Sequence, residues 1–352
     1  TDLSRKIDPV GFDDLFFFVP EIVIELTATT IRIGLHGDAH DQIYKAIFSS
    51  EVDLAYAGSD EIIGSTGVTN ADPAPIRQRY SRDEYISVIK KLQQHILRGD
   101  CYEINFCQEF YTEKPGIKPL AMFRKLASAS PNPFSAFYRN DARYLLCASP
   151  ERYLQKKGTK LISQPIKGTL KRDSNSIAAA HDVSNAKLLL ESAKDRSENV
   201  MVVDLVRNDL SRICKQGSVK VDELFGIYTF PQVYQMISTI SGDLSDDVNW
   251  LDTIRATFPM GSMTGAPKRR VLQLIDEYEI SARGLFSGAV GYVTPDRDFD
   301  FNVVIRSILY NSKTGYLSFP AGSGITFYSD AEAEYEECLL KAAAIRGILN
   351  EI

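Results

Sequence analysis

A lysine in residues 165–169, which read Pro-Ile-Lys-Gly-Thr, is the side chain whose position points most directly to chemistry. Residues 159–164 before it alternate like a half-buried strand, and Gly168 marks a close approach of the backbone to another group. A lysine fixed at a strand end and shielded from water has a lowered pKa, so its amine can act as a nucleophile. Taken alone, Lys167 is more simply interpreted as a solvated surface lysine. Sixteen positions earlier, Glu151 offers a carboxylic acid just after the strand-like residues 144–148.

Four carboxylates at helical spacing form a second candidate site. Asp195 and Glu198 are three residues apart, and Glu334 and Glu337 repeat that spacing near the end of the chain, with Lys341 four residues further on. Residues at this spacing project from one face of a helix. Four carboxylates that converge from two helices suit a hard cation such as Mg²⁺. From spacing alone, ordinary exposed pairs such as Glu337 with Lys341 are the commoner interpretation.

Two glycine-containing segments do not match the common nucleotide-binding motifs. Residues 261–268 have Pro267 where a Walker A motif needs glycine, and residues 322–324 lack the third glycine of a dinucleotide motif. Gly265 and Pro267 are instead typical of a helix start with proline at its first position, which leaves N–H groups free for an anion. The loop 322–324 also lets backbone N–H groups reach a carboxylate, and Arg306 is predicted on a strand beside it. Each segment taken singly also fits a simple turn.

The hydrophobic pattern predicts the elements that must position these residues. Ser81 and Glu84 form a predicted capping box at the start of a helix. The other predicted elements are a helix from about 185 past 206, strands 287–293 and 299–309 around the turn 294–298, a strand at 316–320, and a helix from 330 to about 349. Because the strands come in antiparallel-looking blocks between helices, the predicted class is α+β rather than a doubly wound parallel sheet.

Composition limits the classes of protein that fit. The 352 residues, 44% of them hydrophobic, can bury a large core, and sequence texture divides them into a strand-rich segment, 1–78, packed on a main domain, 79–352. A net charge of −6 gives no electrostatic footprint for nucleic acid. No apolar run is long enough to span a membrane, and no secretory signal is expected. Five scattered cysteines, never spaced as Cys-x-x-Cys, predict a reduced cytoplasmic protein without structural zinc.

In combination and in this order, the segments resemble the chorismate-utilising enzymes. The resemblance covers roughly residues 79–352. It rests on residues 99–105, 149–152, 165–169, 198–210, 261–268 and 329–337. It implies two large, mostly antiparallel sheets in a layered sandwich, with helices outside and the active site between the sheets. Lys167 marks the branch that adds an amine to make 4-amino-4-deoxychorismate, because anthranilate synthases of this family carry alanine at that position.

The resemblance also implies a role for each candidate residue. Lys167 is the expected nucleophile and Glu151 the expected general acid. Mg²⁺ is expected at the four carboxylates, with Glu198 and either Glu334 or Glu337 closer to it than Asp195. The expected substrate-binding residues are Arg306, Gly322, Ser323, Gly324, Thr264, Gly265, Tyr292 and Lys341. Chorismate carries two carboxylates, one expected on the metal and the other on the arginine and the glycine amides.

The expected reaction needs a second reactant and a partner. Lys167 adds to C2 of chorismate while the C4 hydroxyl leaves with a proton from Glu151, and ammonia then attacks C4 and expels the lysine. Ammonia is expected from a separate glutamine amidotransferase subunit. A different lyase is expected to remove pyruvate later, on the route to para-aminobenzoate and folate.

Two alternatives and two departures from the family pattern accompany this interpretation. The alternatives are an anthranilate synthase component I, against which Lys167 speaks, and a non-catalytic chorismate-binding partner protein, against which the intact Glu151 and Lys167 speak. Gln235 stands where many relatives have histidine. Glu103 stands where amine-adding relatives often have glutamine and water-adding relatives have lysine, which argues against an isochorismate or salicylate synthase.

Overall fold

A computed structural model describes residues 6–35, 37, 39–49, 75–113, 117–172 and 179–350. The chain divides into two compact units, one formed by Asp13–Ala71 and the other by Thr1–Phe12 with Asp72–Ile352. The larger unit thus includes residues 6–12 and 75–78, which the sequence analysis assigned to the N-terminal segment. The boundary after residue 78, and the packing of that segment on the main domain, stay predictions.

In the smaller unit, the described residues form a hairpin and a helix. Strand β1 (Ile22–Leu26) pairs antiparallel with β2 (Ile31–Leu35), and helix α1 (His40–Ser49) follows. The turn is closed by a hydrogen bond from the Thr27 backbone N–H to the Thr30 carbonyl, 2.9 Å long. The two threonine hydroxyls also lie 2.7 Å apart, so side chains and backbone hold the same turn.

The larger unit contains two seven-stranded sheets in which every pairing is antiparallel. In spatial order the first sheet consists of β12 (Gly265–Ala266), β4 (Glu103–Glu113), β16 (Tyr316–Ile325), β15 (Ser307–Asn311), β6 (Arg143–Ser149) and β5 (Phe134–Asn140), with β3 (Arg77–Gln78) also paired to β4. The second consists of β10 (Lys220–Thr229), β11 (Val233–Asp243), β8 (Lys160–Gln164), β7 (Arg152–Lys157), β14 (Phe299–Val303) and β13 (Ala289–Val293), with β9 (Ile166–Lys171) also paired to β11.

Some helices of this unit begin where the sequence predicts a helix. They are α2 (Arg82–Leu97), α3 (Pro119–Ala129), α4 (Ala179–Glu191), α5 (Ala193–Ser211), α6 (Trp250–Thr257), α7 (Lys268–Tyr278) and α8 (Ala331–Asn350). The capping box of α2 is confirmed, because Ser81 accepts from the Glu84 N–H while the Glu84 carboxylate accepts from the Ser81 N–H. Among the described residues, no helix is both long and apolar enough to cross a membrane.

Strand β6 shows how the layers are packed. Leu146 and Ala148 join a buried cluster with residues of α2, α3 and α8, whereas Leu145 and Cys147 join a second cluster with residues of β7, β14 and α5. Successive side chains of a strand point to opposite faces, so both faces of the first sheet are covered. The core therefore has one layer between helices and sheet and another between the two sheets, which confirms the predicted α+β sandwich.

The predicted strand 299–309 is wrong as a single element. Its first part, β14, forms the predicted hairpin with β13 in the second sheet, whereas β15 belongs to the first sheet. The chain crosses between the sheets in residues 304–306, where Arg306 has a φ of 52°. Arg306 therefore lies at a bend and not on a strand, since a residue in the left-handed region interrupts extended backbone.

Other predicted boundaries are also corrected. The helix predicted from 185 past 206 is two helices, because Ser192 ends the first and its side chain caps α5 by accepting from the Asp195 N–H. Residues 322–324 lie inside β16 and are not a loop. Pro267 is the N-cap of α7, one position before the predicted N1.

Candidate active site

Two crossings of the chain between the sheets lie side by side. Glu151 joins β6 to β7, and Arg306 is the last residue before β15. The Val303 N–H donates to the Glu151 carbonyl at 3.0 Å, and the Ala148 N–H donates to the Arg306 carbonyl at 3.2 Å. Backbone hydrogen bonds thus hold both crossings together, and with them two of the predicted site residues.

Lys167 joins the two sheets through its side chain. It is the second residue of β9 in the second sheet, and only 9% of the side chain is exposed. Its Nζ donates to Glu103 Oε1 at 2.6 Å, and Glu103 is the first residue of β4 in the first sheet. Glu198 Oε2 lies 3.8 Å from the same nitrogen. The amine is therefore buried between the sheets and paired with a carboxylate.

The expectation of a lowered pKa for Lys167 is wrong. Burial alone lowers the pKa of this amine, but the charges of Glu103 and Glu198 outweigh burial and raise the pKa above its ordinary value. The sequence identified the shielding but not the two carboxylates that come from distant parts of the chain. Lys167 is an ammonium at rest, so it has to lose a proton before it can attack.

Glu151 has the environment of a proton donor. The residue is 4% exposed, and burial raises the pKa of its carboxyl to about 7, although the nearby Lys167 charge acts in the opposite direction. A carboxyl group with this pKa keeps a proton at neutral pH for part of the time, which is what a general acid needs.

Gly324 forms the wall of this site. A Cβ atom at this position would lie 2.8 Å from both Glu103 Oε1 and Lys167 Nζ, and 3.4 Å from Glu198 Oε2. A side chain at this position would therefore have to displace the ends of Glu103 and Lys167, whereas glycine leaves the ion pair in place. Because this predicted substrate-binding residue contacts the predicted nucleophile, the structure brings the two sets of residues together.

Three of the four predicted metal ligands surround a lysine that the sequence analysis did not single out. Lys194 Nζ lies 3.0 Å from Glu334 Oε1, 3.7 Å from Glu337 Oε2 and 3.9 Å from Glu198 Oε1. The carboxylates of α5 and α8 thus converge as predicted, around an ammonium group. The fourth, Asp195, lies against β9, since a Cβ on Gly168 would be 2.9 Å from its Oδ1.

The donor set fits a hard divalent cation. Glu334 Oε2 and Glu198 Oε1 are buried and lack a hydrogen-bond partner, and carboxylate oxygens are the ligands that Mg²⁺ prefers. Burial raises the pKa of Glu198 to about 7, and the charge of Lys167 offsets part of that effect. In the described part of the chain, however, no group of three or more acidic, histidine or cysteine side chains is already arranged to hold a metal ion. The residues fit a cation in kind, with Lys194 among them.

The predicted carboxylate-binding residues form a second connected group. Arg306 Nη1 donates to the Lys341 carbonyl at 3.0 Å, and Lys341 Nζ donates to the Gly322 carbonyl at 2.9 Å. Lys341 Nζ also lies 2.7 Å from Glu337 Oε1, and burial of Glu337 is outweighed by the charges of Lys341 and Lys194, so its pKa is lowered. This group is therefore continuous with the carboxylate cluster.

The other predicted substrate-binding residues are Ser323, Gly265, Thr264 and Tyr292. Ser323 is fully buried on β16, and Gly265 pairs with Ile104 beside Glu103. The Thr264 carbonyl accepts from the Asn105 N–H at 2.6 Å, which fixes the same strand end. Tyr292 lies on the edge strand β13 and is 64% exposed, so its contact with substrate stays a prediction.

Sequence reasoning missed two residues of the site and left the effect of a third open. Glu103 stood out only as a departure from the family pattern, and Lys194 was marked only by its position next to Asp195. Gln235 lies on β11 opposite Thr169, two residues from Lys167, and is 4% exposed. Gln235 therefore lies one strand away from the predicted nucleophile, at the position where many relatives have histidine.

Comparison with known proteins gives consistent matches. The sequence model of the chorismate binding enzyme family matches residues 3–347, which extends the similarity into the N-terminal segment. Aminodeoxychorismate synthase component 1 of Klebsiella aerogenes is 39% identical over 276 residues, 78% of this chain and 59% of that protein. The protein of the same name in Bacillus subtilis strain 168 is 29% identical over 347 residues, 98% of this chain and 73% of that protein.

A solved structure shows the same fold. Anthranilate synthase component I from Streptococcus pneumoniae TIGR4 superposes with a TM-score of 0.78 at 26% identity, over 98% of this chain and 75% of that one. The present chain spans about three fifths of the length of relatives such as the Klebsiella protein, 59% in that case. The resemblance inferred from the sequence motifs is confirmed.

Proposed function

The chain belongs to the family of chorismate binding enzymes, and we propose that it converts chorismate and ammonia to 4-amino-4-deoxychorismate and water. The observation that carries the proposal is the buried Lys167 amine, 2.6 Å from Glu103. A lysine so placed can form a covalent adduct with the ring, whereas the alanine expected in anthranilate synthases cannot. Relatives named aminodeoxychorismate synthase component 1 support the same reaction.

Glu103 can remove the proton that Lys167, with its raised pKa, has to lose before it attacks. Its Oε1 accepts a hydrogen bond from the Lys167 ammonium, so it can take the proton directly. The neutral amine then adds to C2 of the ring, the ring double bond shifts, and the C4–O bond breaks. Glu151 donates its proton to the departing hydroxyl, which leaves as water.

The second half of the reaction reverses the addition. Ammonia forms a bond to C4, the double bond shifts back, and the C2–N bond to Lys167 breaks. The amine regains its proton from Glu103, and Glu151 takes up the proton that the new amino group loses. Because both carboxyl groups end in their starting protonation states, the cycle balances.

We propose that Mg²⁺ is held by Glu198, Glu334 and Glu337, with Asp195 further away. When bound, the cation would neutralise the ring carboxylate of chorismate and make the ring a better electron acceptor. Arg306 and the backbone around Gly322 are proposed to bind the other carboxylate. The support is the continuous chain of contacts from Arg306 through Lys341 to Glu337.

We also propose that the ammonia comes from a separate glutamine amidotransferase subunit. The relatives' designation as component 1 supports a second component. A reconstituted enzyme should then use glutamine in place of ammonium only when that subunit is added. Glutamine use by this chain alone would contradict the proposal.

A product assay tests the reaction. The protein is incubated with chorismate, Mg²⁺ and ammonium, with and without aminodeoxychorismate lyase. We expect para-aminobenzoate only when the lyase is present. An anthranilate synthase is the second candidate, favoured by the structural match to that enzyme, and fluorescent anthranilate formed without the lyase would establish it instead. Chorismate binding without either product would indicate a non-catalytic binding protein.

A further inference from the structure

Lys194 lies within 4 Å of each carboxylate in the cluster formed by Glu198, Glu334 and Glu337. It lies in the first turn of α5, and its ammonium approaches carboxylates from both α5 and α8. Its one short contact is to Glu334 Oε1, 3.0 Å away, whereas Glu337 Oε2 and Glu198 Oε1 lie 3.7 and 3.9 Å away, beyond hydrogen-bond distance. Lys194 therefore pairs closely with Glu334 alone, since Glu337 lies nearer to Lys341, at 2.7 Å, and Glu198 lies 3.8 Å from Lys167.

The cluster keeps unmet capacity to bind a cation. Glu334 is 1% exposed and Glu198 7%, and each has a buried oxygen without a hydrogen-bond partner, Oε2 and Oε1 respectively. Buried polar atoms in native proteins are almost always paired. A divalent cation takes several oxygen ligands and carries twice the charge of an ammonium group, so it would satisfy these oxygens better than Lys194 does.

The lysine can leave the cluster more easily than the carboxylates can. Half of the Lys194 side chain surface is exposed, 50%, against 1% for Glu334 and 9% for Glu198. A long lysine side chain with this exposure can move its ammonium into water and keep it solvated. The carboxylates of Glu334 and Glu198, in contrast, are held within the packed interior and stay behind as ligands.

We propose that Lys194 is an internal counter-ion that neutralises this cluster before a divalent cation binds, and that the cation displaces it. The proposal rests on the metal site of the proposed function. It assigns Lys194 a specific effect, because an incoming cation has to break the Lys194–Glu334 pair and is repelled by the ammonium. The charge of Lys194 therefore weakens cation binding and helps to set the concentration at which the site fills.

Replacing the charge tests the proposal directly. Lys194→Met keeps a long unbranched side chain and removes the ammonium, so Mg²⁺, titrated alone by calorimetry, should bind at least about tenfold more tightly, or about 1.4 kcal/mol. Lys194→Arg retains the charge and should bind Mg²⁺ no more tightly than the wild type. Lys187→Met is the matched control, because Lys187 forms an exposed pair with Glu191 at 3.7 Å and should leave the affinity unchanged.

Thermal unfolding gives a readout that does not depend on activity. Without Mg²⁺, Lys194→Met should unfold at a lower temperature than the wild type, because the buried Glu334 carboxylate has lost its nearest counter-ion. Saturating Mg²⁺ should remove most of that difference, since a ligand stabilises the state that binds it. The control Lys187→Met should show neither effect.

The outcomes distinguish the metal site itself from the role of Lys194 in it. A wild-type protein that binds no Mg²⁺ overturns both the metal site and the role of Lys194. A wild type that binds Mg²⁺, with Lys194→Met binding equally or more weakly, overturns only the role of Lys194. Tighter binding by Lys194→Met and not by Lys194→Arg or Lys187→Met establishes the displaced counter-ion.

Discussion

Replacement of Glu103 by glutamine tests the proton transfer at the centre of the proposed mechanism. The substitution keeps the size of the side chain and removes the charge 2.6 Å from Lys167 Nζ. At an effective dielectric constant of about 20, two unit charges at that separation attract by roughly 6 kcal/mol, against roughly 4 kcal/mol for Glu198 at 3.8 Å. More than half of the attraction on the ammonium is therefore lost, while Glu198 remains.

The variant should be less stable and much slower. Breaking a buried ion pair costs about 3–5 kcal/mol when the remaining charge has no partner, so with Glu198 in place we expect about 2–3 kcal/mol. Losing a general base lowers turnover by about 10²–10⁴-fold, and we expect that fall in kcat with little change in KM for chorismate.

The pH dependence distinguishes a proton acceptor from a structural anchor. In the wild type the proton moves from Lys167 to Glu103 and stays on the pair, so the number of protons bound to the enzyme does not change before the attack. The ionisation of this pair therefore gives kcat little pH dependence. In Glu103→Gln the amine has to lose its proton to solvent, and kcat should rise about tenfold per pH unit up to about pH 7, above which loss of the Glu151 proton offsets the rise. Because folding raises the pKa of Lys167, its charge stabilises the fold fully at pH values below about 10.4, the pKa of lysine in the unfolded chain. The loss of stability in Glu103→Gln should therefore stay constant between about pH 6 and 9.

Glu109→Gln is the matched control on the same strand. Glu109 is 5% exposed and pairs with Arg79 at 2.8 Å, so its replacement by glutamine removes a comparable buried ion pair outside the proposed site. Urea unfolding should show a similar loss for both variants, whereas the lyase-coupled assay should show a large fall in kcat for Glu103→Gln alone. Wild-type turnover in Glu103→Gln, or a fall in kcat with no rise as the pH increases toward 7, would refute the assignment of Glu103 as proton acceptor.

Four further predictions follow from the same geometry. Lys167→Ala should stop formation of aminodeoxychorismate and yield at most a trace of anthranilate-type product, and mass spectrometry should detect no chorismate adduct on it; near wild-type turnover would contradict the nucleophile. Glu198→Gln or Glu337→Gln should abolish turnover with the circular dichroism spectrum intact, and undiminished wild-type activity in strong chelator would exclude the metal role. Arg306→Lys should raise KM by about 10–100-fold with kcat nearly constant, since a fork pairing contributes equally to the ground and transition states; the opposite pattern would count against it. Turnover should fall as pH rises through about 7, where Glu151 loses its proton, and the stability that the protonated form provides below its unfolded pKa is lost over the same rise.

Local signals predicted local structure well. The capping box at Ser81 and the hairpin of β13 and β14 depend on residues a few positions apart, and both are confirmed. The i, i+3 spacing predicted only that each pair of carboxylates shares a helix face, whereas the convergence of the two pairs on one site was implied by the resemblance to the family. The break at Ser192 was missed because a residue that caps one helix can also stand within the periodic pattern of another.

The features that the sequence could not show depend on where the chain changes sheets. The sequence pattern of a strand continues through residues 299–309, yet the chain crosses from one sheet to the other at Arg306. It does so because β14 pairs with a strand of the second sheet and β15 with a strand of the first. The pairing of Lys167 with Glu103, 64 residues away, joins strands of the two different sheets and follows from no local spacing. Without the partner, burial was the only influence on Lys167 that could be inferred, and it gave the wrong sign for the pKa.

The carboxyl groups of the site differ in whether a lysine lies close to them. Three pairs are close: Lys167 with Glu103 at 2.6 Å, Lys341 with Glu337 at 2.7 Å and Lys194 with Glu334 at 3.0 Å. Glu198 has its nearest ammonium 3.8 Å away, and Glu151 feels Lys167 only as a nearby charge. These two, without a close lysine, are the carboxyl groups whose pKa burial raises to about 7. A buried carboxyl group in that condition can release a proton or accept a cation. Glu103, Glu334 and Glu337 are each paired closely with a lysine, so their proposed roles begin with the breaking or proton exchange of an ion pair, whereas the proposed roles of Glu151 and Glu198 do not.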